Sequence, residues 1–411
     1  MQAIIISAGE STRFWPINSG HHKTQTLVLG KPVIYWTIKG LAENNITDII
    51  VVCRSDDSMQ SIEEYTKDLG VTLKFVNQEQ PLGTGNALAQ AKEYITQPFI
   101  LIWPNKVNAG TMVKDILEVQ SKEQADVVFV GATTSTPQDY GIIRFNGDEV
   151  EEIIEKPEVG TAPSDIKAIG AYFLKPEFFE YYEKLEEHHI TDIIDARNAY
   201  LKDKKGAWVK LEKDVPALKY PWELFGILDI LAASRLEESV ADTVQIGKSV
   251  EIKGPVFIGE NTIIKDNTII EGPCYIGANC EIGYNNIIRG TVNIEDNVKT
   301  GSFCEISHSI IQEGTHFHSG YIGDSIIGKN CRFGAGFIAA NRRLDRETIK
   351  VKIKGEKVDS QISRLGVVVG DEVKIGIHAG TMPGVLIGSN SKIGPGAMIF
   401  KNIGDGEVIR D

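Results

Sequence analysis

Arg13 and Lys23 are the first residues in this chain whose type and placement suggest chemistry. They lie in a loop that follows the apolar run Ala3–Ile6 and the small-residue turn Ser7-Ala8-Gly9, and such a loop has little structural need for two cations. A glycine turn after a strand brings backbone N–H groups close to phosphate, while Arg and Lys neutralise its charge. The His21-His22 pair can also donate to phosphate, although paired loop histidines more often fill space. Far along the chain, residues 341–364 carry eight Lys/Arg against four Asp/Glu. Within a protein of net charge −13 this stretch reads as an anion site, or else as a solvated hairpin around Lys354-Gly355-Glu356-Lys357. Just upstream stand His318 and Tyr321. Histidine has the ordinary pKa to strip a proton from an ammonium near neutral pH. Isolated histidines on a strand-rich surface are more often solvated, and His308 and His316 are read that way.

Two kinds of element must position these residues. Up to about residue 220, apolar runs (Ala3–Ile6, Asp48–Val52, Thr72–Phe75, Phe99–Ile102, Asp126–Val130) alternate with helical stretches (Val33–Asn44, Gly85–Tyr94, Met112–Lys122). Strands alternating with helices predict a mostly parallel, doubly wound α/β sheet, with ligands beyond the carboxyl ends of its strands. Trp222–Val240 reads as a connector helix. After it, Ile246, Ile252, Ile258, Ile264, Ile270, Ile276, Ile282, Ile288 and Ile294 recur every sixth residue, and the beat returns from Val369 to Ile399. A period of six fits neither an amphipathic strand nor a helix. It predicts three short strands per coil, with each aliphatic stacked on its counterpart one coil on. The beat slips near 305–325 and stops between Ala340 and Gly366. The expected domains are 1–222, a connector at 223–243, and a β-helix at 244–411.

Forty-three basic against fifty-six acidic residues argue against a general nucleic-acid or anionic-membrane binder, though not against a small phosphorylated ligand. Cys53, Cys274, Cys280, Cys304 and Cys331 form no C-x-x-C pair and no zinc spacing, so free buried thiols are expected. With no long apolar run and no signal peptide after Met1, a cytoplasmic location is expected.

The stretch Ser7-Ala8-Gly9-Glu10-Ser11-Thr12-Arg13-Phe14-Trp15-Pro16, then Lys23 and Gly30-Lys31-Pro32, resembles the signature of the sugar nucleotidylyltransferases. Gln80-Pro81-Leu82-Gly83-Thr84 is similar to that family's base-reading segment. Tyr140-Gly141 and Glu155-Lys156-Pro157 resemble its sugar-binding pair, and Thr191-Asp192 and Tyr220-Pro221-Trp222-Glu223 its later landmarks. From residue 244 onward the chain resembles the acetyltransferase half of archaeal-type bifunctional enzymes. The matching segments are His318 to Ser325, Gly334-Ala335-Gly336, Ala340 to Asp345, Lys350 with the Lys354–Asp359 hairpin, and Gly376 to Gly384.

The resemblance is to bifunctional sugar-1-phosphate nucleotidylyltransferase/amino-sugar-1-phosphate acetyltransferases. It implies a Rossmann-like α/β domain followed by a left-handed parallel β-helix, assembled as a homotrimer. Its implied substrates are a sugar-1-phosphate, a nucleoside triphosphate and acetyl-CoA. Arg13 and Lys23 would serve nucleotidyl transfer, with Ala8, Gly9, Gln80, Gly83 and Thr84 on the nucleotide and Tyr140, Gly141, Glu155 and Lys156 on the sugar. His318 would be the base of acetyl transfer, with Tyr321, Asn341, Arg343 and Lys350 on the sugar phosphate and acetyl-CoA near Ala379. Several positions depart from the family pattern. Ser11 replaces a glycine, Ala168 an asparagine, Glu347 a lysine and His378 an asparagine. The two carboxylates that hold Mg²⁺ fall on Lys106 and Ala217, so no protein ligand to metal is expected. An alternative reading follows from that loss: a non-catalytic regulatory or assembly subunit built on the same two-domain plan.

Overall fold

The computed structural model describes residues 1–410 apart from 19, 56–58 and 213. It divides into two compact units. The first is Met1–Glu10 with Pro32–Val215, and the second is Ser11–Lys31 with Pro216–Asp411. The chain therefore passes its first loop into the second unit, which a boundary at residue 222 does not anticipate.

In the first unit, nine strands among the described residues form one sheet. They are β1 (Gln2–Ile6), β2 (Asp48–Cys53), β3 (Thr72–Asn77), β4 (Phe99–Ile102), β5 (Val127–Thr133), β6 (Gly141–Asn146), β7 (Glu149–Glu155), β8 (Ile166–Leu174) and β9 (Gly206–Lys210). The order is β9-β5-β8-β4-β1-β2-β3, with the β6–β7 hairpin attached to β8. β1 pairs in parallel with β2 and β4 and is buried throughout, as its unbroken apolar run requires. β8 runs antiparallel between β4 and β5 and interrupts the parallel order. Helices α1 (Val33–Ala42), α2 (Thr84–Gln90), α3 (Ala109–Glu123) and α4 (Asp192–Asp203) accompany the sheet, which divides the apolar interior into two cores. Gly40 of α1 meets the backbone of Gly110 so closely that a side chain has no room. The predicted helix at 85–94 is split into α2 and a 3-10 turn at Lys92–Tyr94.

The second unit is a parallel β-helix. Its three sheets each stack short strands from successive coils. Ile258, Ile276 and Ile294 lie in register one above another, with coil-to-coil bonds spanning 18 residues. Coils near 305–325 shorten to 17 and 16 residues, which is why the beat slips there. At the second gap Ile327 pairs directly with Val369, and the intervening chain leaves as an arm. Corners are turned by asparagines of positive φ, such as Asn261, Asn279 and Asn297. The connector helix α5 (Leu224–Arg235) is shorter than expected, because Leu236 is already extended.

The loop 11–31 is fastened to the β-helix by buried polar side chains. Gln312 makes two bonds to the backbone of Leu27, at 3.3 and 3.0 Å. Asn293 Oδ1 accepts from Leu29 N–H at 2.6 Å, and Glu295 Oε1 from Gly30 N–H at 3.2 Å. Burial pushes the Glu295 carboxyl up to about 7 from 4.5. A raised folded pKa favours the fold below 4.5, and that contribution disappears as pH rises through about 7. Glu295→Ala, which strands the Gly30 N–H, is expected to cost about 1–3 kcal/mol in urea melts. Glu295→Gln should instead flatten the decline of stability between those two pH values.

Candidate functional site

In the second unit, Arg13 sits on a 3-10 turn, Thr12–Phe14, entered through Ser11 at φ 53°. That left-handed backbone explains why the family places glycine there. The Arg13 guanidinium lies 6.0 Å from the Tyr220 ring, which stacks on Trp222 at 4.6 Å. Burial lowers Lys23 to about 8, opposed by the Glu223 carboxylate and reinforced by Arg13 and Lys219. His22 is also buried, pushed down to about 3 by that burial, and its Nδ1 caps the turn by accepting from Thr24 N–H.

In the first unit, Ala8 and Gly9 follow β1, and Ser7 N–H bonds to Val52 O. Gly83 begins α2 at φ 103°, where an added Cβ would strike the backbone of Ile190. Gln78 Nε2 fixes the turn through Gly83 O at 3.0 Å and Asn86 Oδ1 at 2.9 Å, with Gln80 and Thr84 on either side of Gly83. Gly83→Ala is expected to displace this segment at a cost of about 1–3 kcal/mol. Calorimetric titration with UTP should read it as weakened nucleotide binding.

Tyr140-Gly141 and Glu155-Lys156 come together at the open end of the β6–β7 hairpin. Gly141 pairs with Glu155, and Lys156 N–H bonds to Tyr140 O at 2.9 Å. Lys167 Nζ lies 4.2 Å from the Tyr140 ring centre and 2.6 Å from Asp214. Asp214 also attracts Lys106, which is buried and held down to about 8 by desolvation and by the charge of Lys167. The family's Mg²⁺ does not fit these residues. Lys106, expected from the resemblance at a ligand position, is buried, and the nearby Asp214 carboxylate is paired with Lys167. No group of three or more His, Cys, Asp or Glu among the described residues could hold a metal.

On the β-helix, His318 stands at a corner between two sheets. It borders a groove of about 630 Å³ whose other walls include Arg332, Gly334, Ala335, Lys374, Gly376 and Lys392. Lys299, His316, Arg332, Lys374 and Lys392 occupy the same register on consecutive coils and form a basic ladder beside it. The six-residue repeat of buried aliphatics does not reveal this ladder, although each of its members directly precedes a buried residue on that sheet. Tyr321 and Asn341 meet elsewhere: Asn341 Nδ2 donates to Tyr321 OH at 3.0 Å and to Asp324 at 2.6 Å. Asp324 also binds His308, which lies 3.6 Å from Asp229 of α5; the two carboxylates raise His308 to about 9. His308 is therefore a structural cation, tying α5 to the coils.

Other expected residues are scattered. Arg343 pairs with Asp345. Lys350 lies on the hairpin of the arm, facing a cavity it shares with Arg13. Ala379 is buried, and it is Ala335 that lines the groove beside His318. His378 replaces asparagine at φ 55°, the backbone shape that asparagine also tolerates.

Residues 2–223 match the nucleotidyl transferase family, and 255–290 and 366–401 match the bacterial transferase hexapeptide (six repeats). A bifunctional sugar-1-phosphate nucleotidylyltransferase/acetyltransferase from Sulfurisphaera tokodaii is 34% identical over 421 residues, covering 100% of both chains. The chain belongs to this bifunctional nucleotidylyltransferase/acetyltransferase family. It is accordingly a transferase. Bifunctional protein GlmU from Methanocaldococcus jannaschii, another relative, is 33% identical over 98% of this chain and 96% of its own. A UDP-glucose pyrophosphorylase structure shares the nucleotidyltransferase fold at 21% identity and TM-score 0.50, covering 56% of this chain and 97% of that one. Within the family, the α/β fold and the left-handed hexapeptide β-helix are the expected pair, and both are present. No helix among the described residues is long and apolar enough to cross a membrane.

Proposed function

We propose that the β-helix transfers acetyl from acetyl-CoA to the amine of a hexosamine-1-phosphate, with His318 as general base. The observation that supports this most is the groove, which His318, the small residues Gly334, Ala335 and Gly376, and the cations Arg332, Lys374 and Lys392 all line. Acetyl-CoA is a polyanion on a long flexible stem. A basic ladder can hold its phosphates while the glycine and alanine floor lets the stem lie close to backbone. His318 then removes a proton from the sugar ammonium, the free amine attacks the thioester carbonyl, and the thiol of CoA departs. Tyr321, Asn341, Arg343 and Lys350 are assigned to the sugar phosphate as family positions. The residues exposed at Ile338, Ile377 and Met398 favour a homotrimer that covers them, and a cytoplasmic location follows from the metabolite substrates.

The nucleotidyl half, on this reading, binds a nucleoside triphosphate and a sugar-1-phosphate without a protein-held metal. Arg13 and Lys23 are its assigned catalytic cations. Lys106 supports a second reading for this half alone, as a binding or regulatory module whose turnover is weak or absent. Two assays on pure protein separate the readings: CoA release with glucosamine-1-phosphate, and pyrophosphate release with UTP or dTTP. Absence of CoA release with every hexosamine-1-phosphate would remove the acetyltransferase assignment.

A further inference from the structure

A second cavity, of about 770 Å³, lies wholly within the second unit and shares no residue with the His318 groove. Three segments build it: the first loop, the arm, and the last coils. In the arm, strands Lys350–Ile353 and Glu356–Asp359 form a hairpin that turns at Lys354 and Gly355, φ 49° and 90°. Alternation buries Val351 and Ile353, and sends Lys350 and Lys352 to the exposed face. The hairpin is held in place by Asn402 Nδ2, which donates to Lys352 O at 2.8 Å. It packs over Gly384, where a side chain would meet Ile349 and Val351. The arm is thus docked on its own coils and is not a free solvated loop.

Arg13, Lys350, Lys352, Lys354 and Lys401 line this cavity, and no Asp or Glu does. None of the five cations forms an ion pair among the described residues. The same walls carry Trp15 and Phe400, with Ile353 and Val385. Phe400 is 68% exposed, an aromatic left open beside a positive surface. Trp15 is held by Nε1–H bonds to Asp405 at 3.1 Å, which fixes its ring relative to the last coil. Clustered cations select phosphate, and the adjacent aromatic rings select a flat base or another apolar group.

We infer that this cavity is a separate binding site for a nucleoside polyphosphate, with the phosphates on Lys352, Lys354 and Lys401 and the base against Phe400 and Trp15. Its floor contains none of Ala8, Gly9, Gln80, Gly83 or Thr84, so it is distinct from the nucleotide segment of the first unit.

The test is calorimetric titration of the full-length protein with UTP and with tripolyphosphate. Wild type should show two UTP sites per chain. Lys352→Glu with Lys401→Glu, both exposed positions, should weaken one of them by about 10- to 100-fold and leave the other intact. Gly83→Ala should weaken only the other. Phe400→Ser should weaken UTP at the arm site while leaving tripolyphosphate binding unchanged. If the first-unit nucleotide reading fails, Gly83→Ala has no effect but the charge reversals still remove a site. UTP binding indifferent to the charge reversals would overturn the proposal, as would equal binding of UTP and tripolyphosphate that ignores Phe400→Ser.

Discussion

His318→Ala is expected to lower CoA release with glucosamine-1-phosphate by about 10²–10⁴-fold, the usual contribution of a positioned base. The loss should fall mainly on kcat, since imidazole removal leaves the basic ladder and the floor of the groove in place. Arg332→Ala and Lys374→Ala should behave differently, raising KM for acetyl-CoA with less change in kcat. His316→Ala supplies a control two residues away. It is on the ladder, and its charge is disfavoured by burial and by Arg332 and Lys299, so its loss should matter little. Near-wild-type CoA release by the His318 variant would withdraw the assignment, and equal damage from His316→Ala would show that the region as a whole had been disturbed.

Nucleotide binding is expected to need no Mg²⁺ and to weaken as pH rises through about 8. Lys106 and Lys23 are each lowered to about 8, mainly by burial. Below that pH both are cations and attract phosphate. Above it they lose the proton, and the attraction with it. The effect on folding has the opposite sign. A folded pKa below the ordinary 10.5 means the cost of burying charge is fully present below about 8 and is relieved between 8 and 10.5. Stability of the unliganded protein should therefore improve across the interval in which affinity falls. Lys106→Met should weaken UTP binding by about 10- to 100-fold. It should keep part of the pH dependence, through Lys23, and raise the midpoint of urea unfolding. Calorimetry with and without Mg²⁺, beside pyrophosphate release, reads all of this. Brisk Mg²⁺-dependent turnover in wild type would show that Lys106 does not stand where the family's metal carboxylate does. Lys106→Asp with Ala217→Asp should create metal dependence if it does.

The β-helix was legible because a stacked coil repeats its inward residue at a fixed interval, and isoleucines at Ile246 to Ile294 display that interval directly. The α/β sheet was legible for a similar reason, its central strands being uninterrupted apolar runs such as Ile4–Ile6. Contacts that depend on chain segments far apart were not. Nothing about Asn293, Glu295 or Gln312 as residue types announces that they receive the backbone of Leu27, Leu29 and Gly30, since each also fits an ordinary coil. Lys350 and His318 share a stretch of family resemblance, yet the hairpin carries Lys350 to Arg13. The basic ladder is hidden for another reason: its members are separated by whole coils, so they look like scattered surface charge until the register is known. Lys106 was visible as a departure from pattern, but its neighbours Lys167 and Asp214 come from other elements and emerge only on folding.

The placement of loop 11–31 bears on how the two halves of such a protein can be exchanged or inherited. A gene fragment ending at residue 222 would still encode Leu27, Val28 and Leu29, but not Gln312, Asn293 or Glu295, which satisfy that loop's backbone. Three buried side chains become apolar surface, and the loop that carries Arg13 and Lys23 is left without its support. A chimera made by joining this N-terminal half to a relative's β-helix inherits the same fault unless those three positions travel with the loop. The two halves are thus tied together by matched parts. A recombination event at the connector helix, where the sequence invites a cut, would separate a loop from its seat.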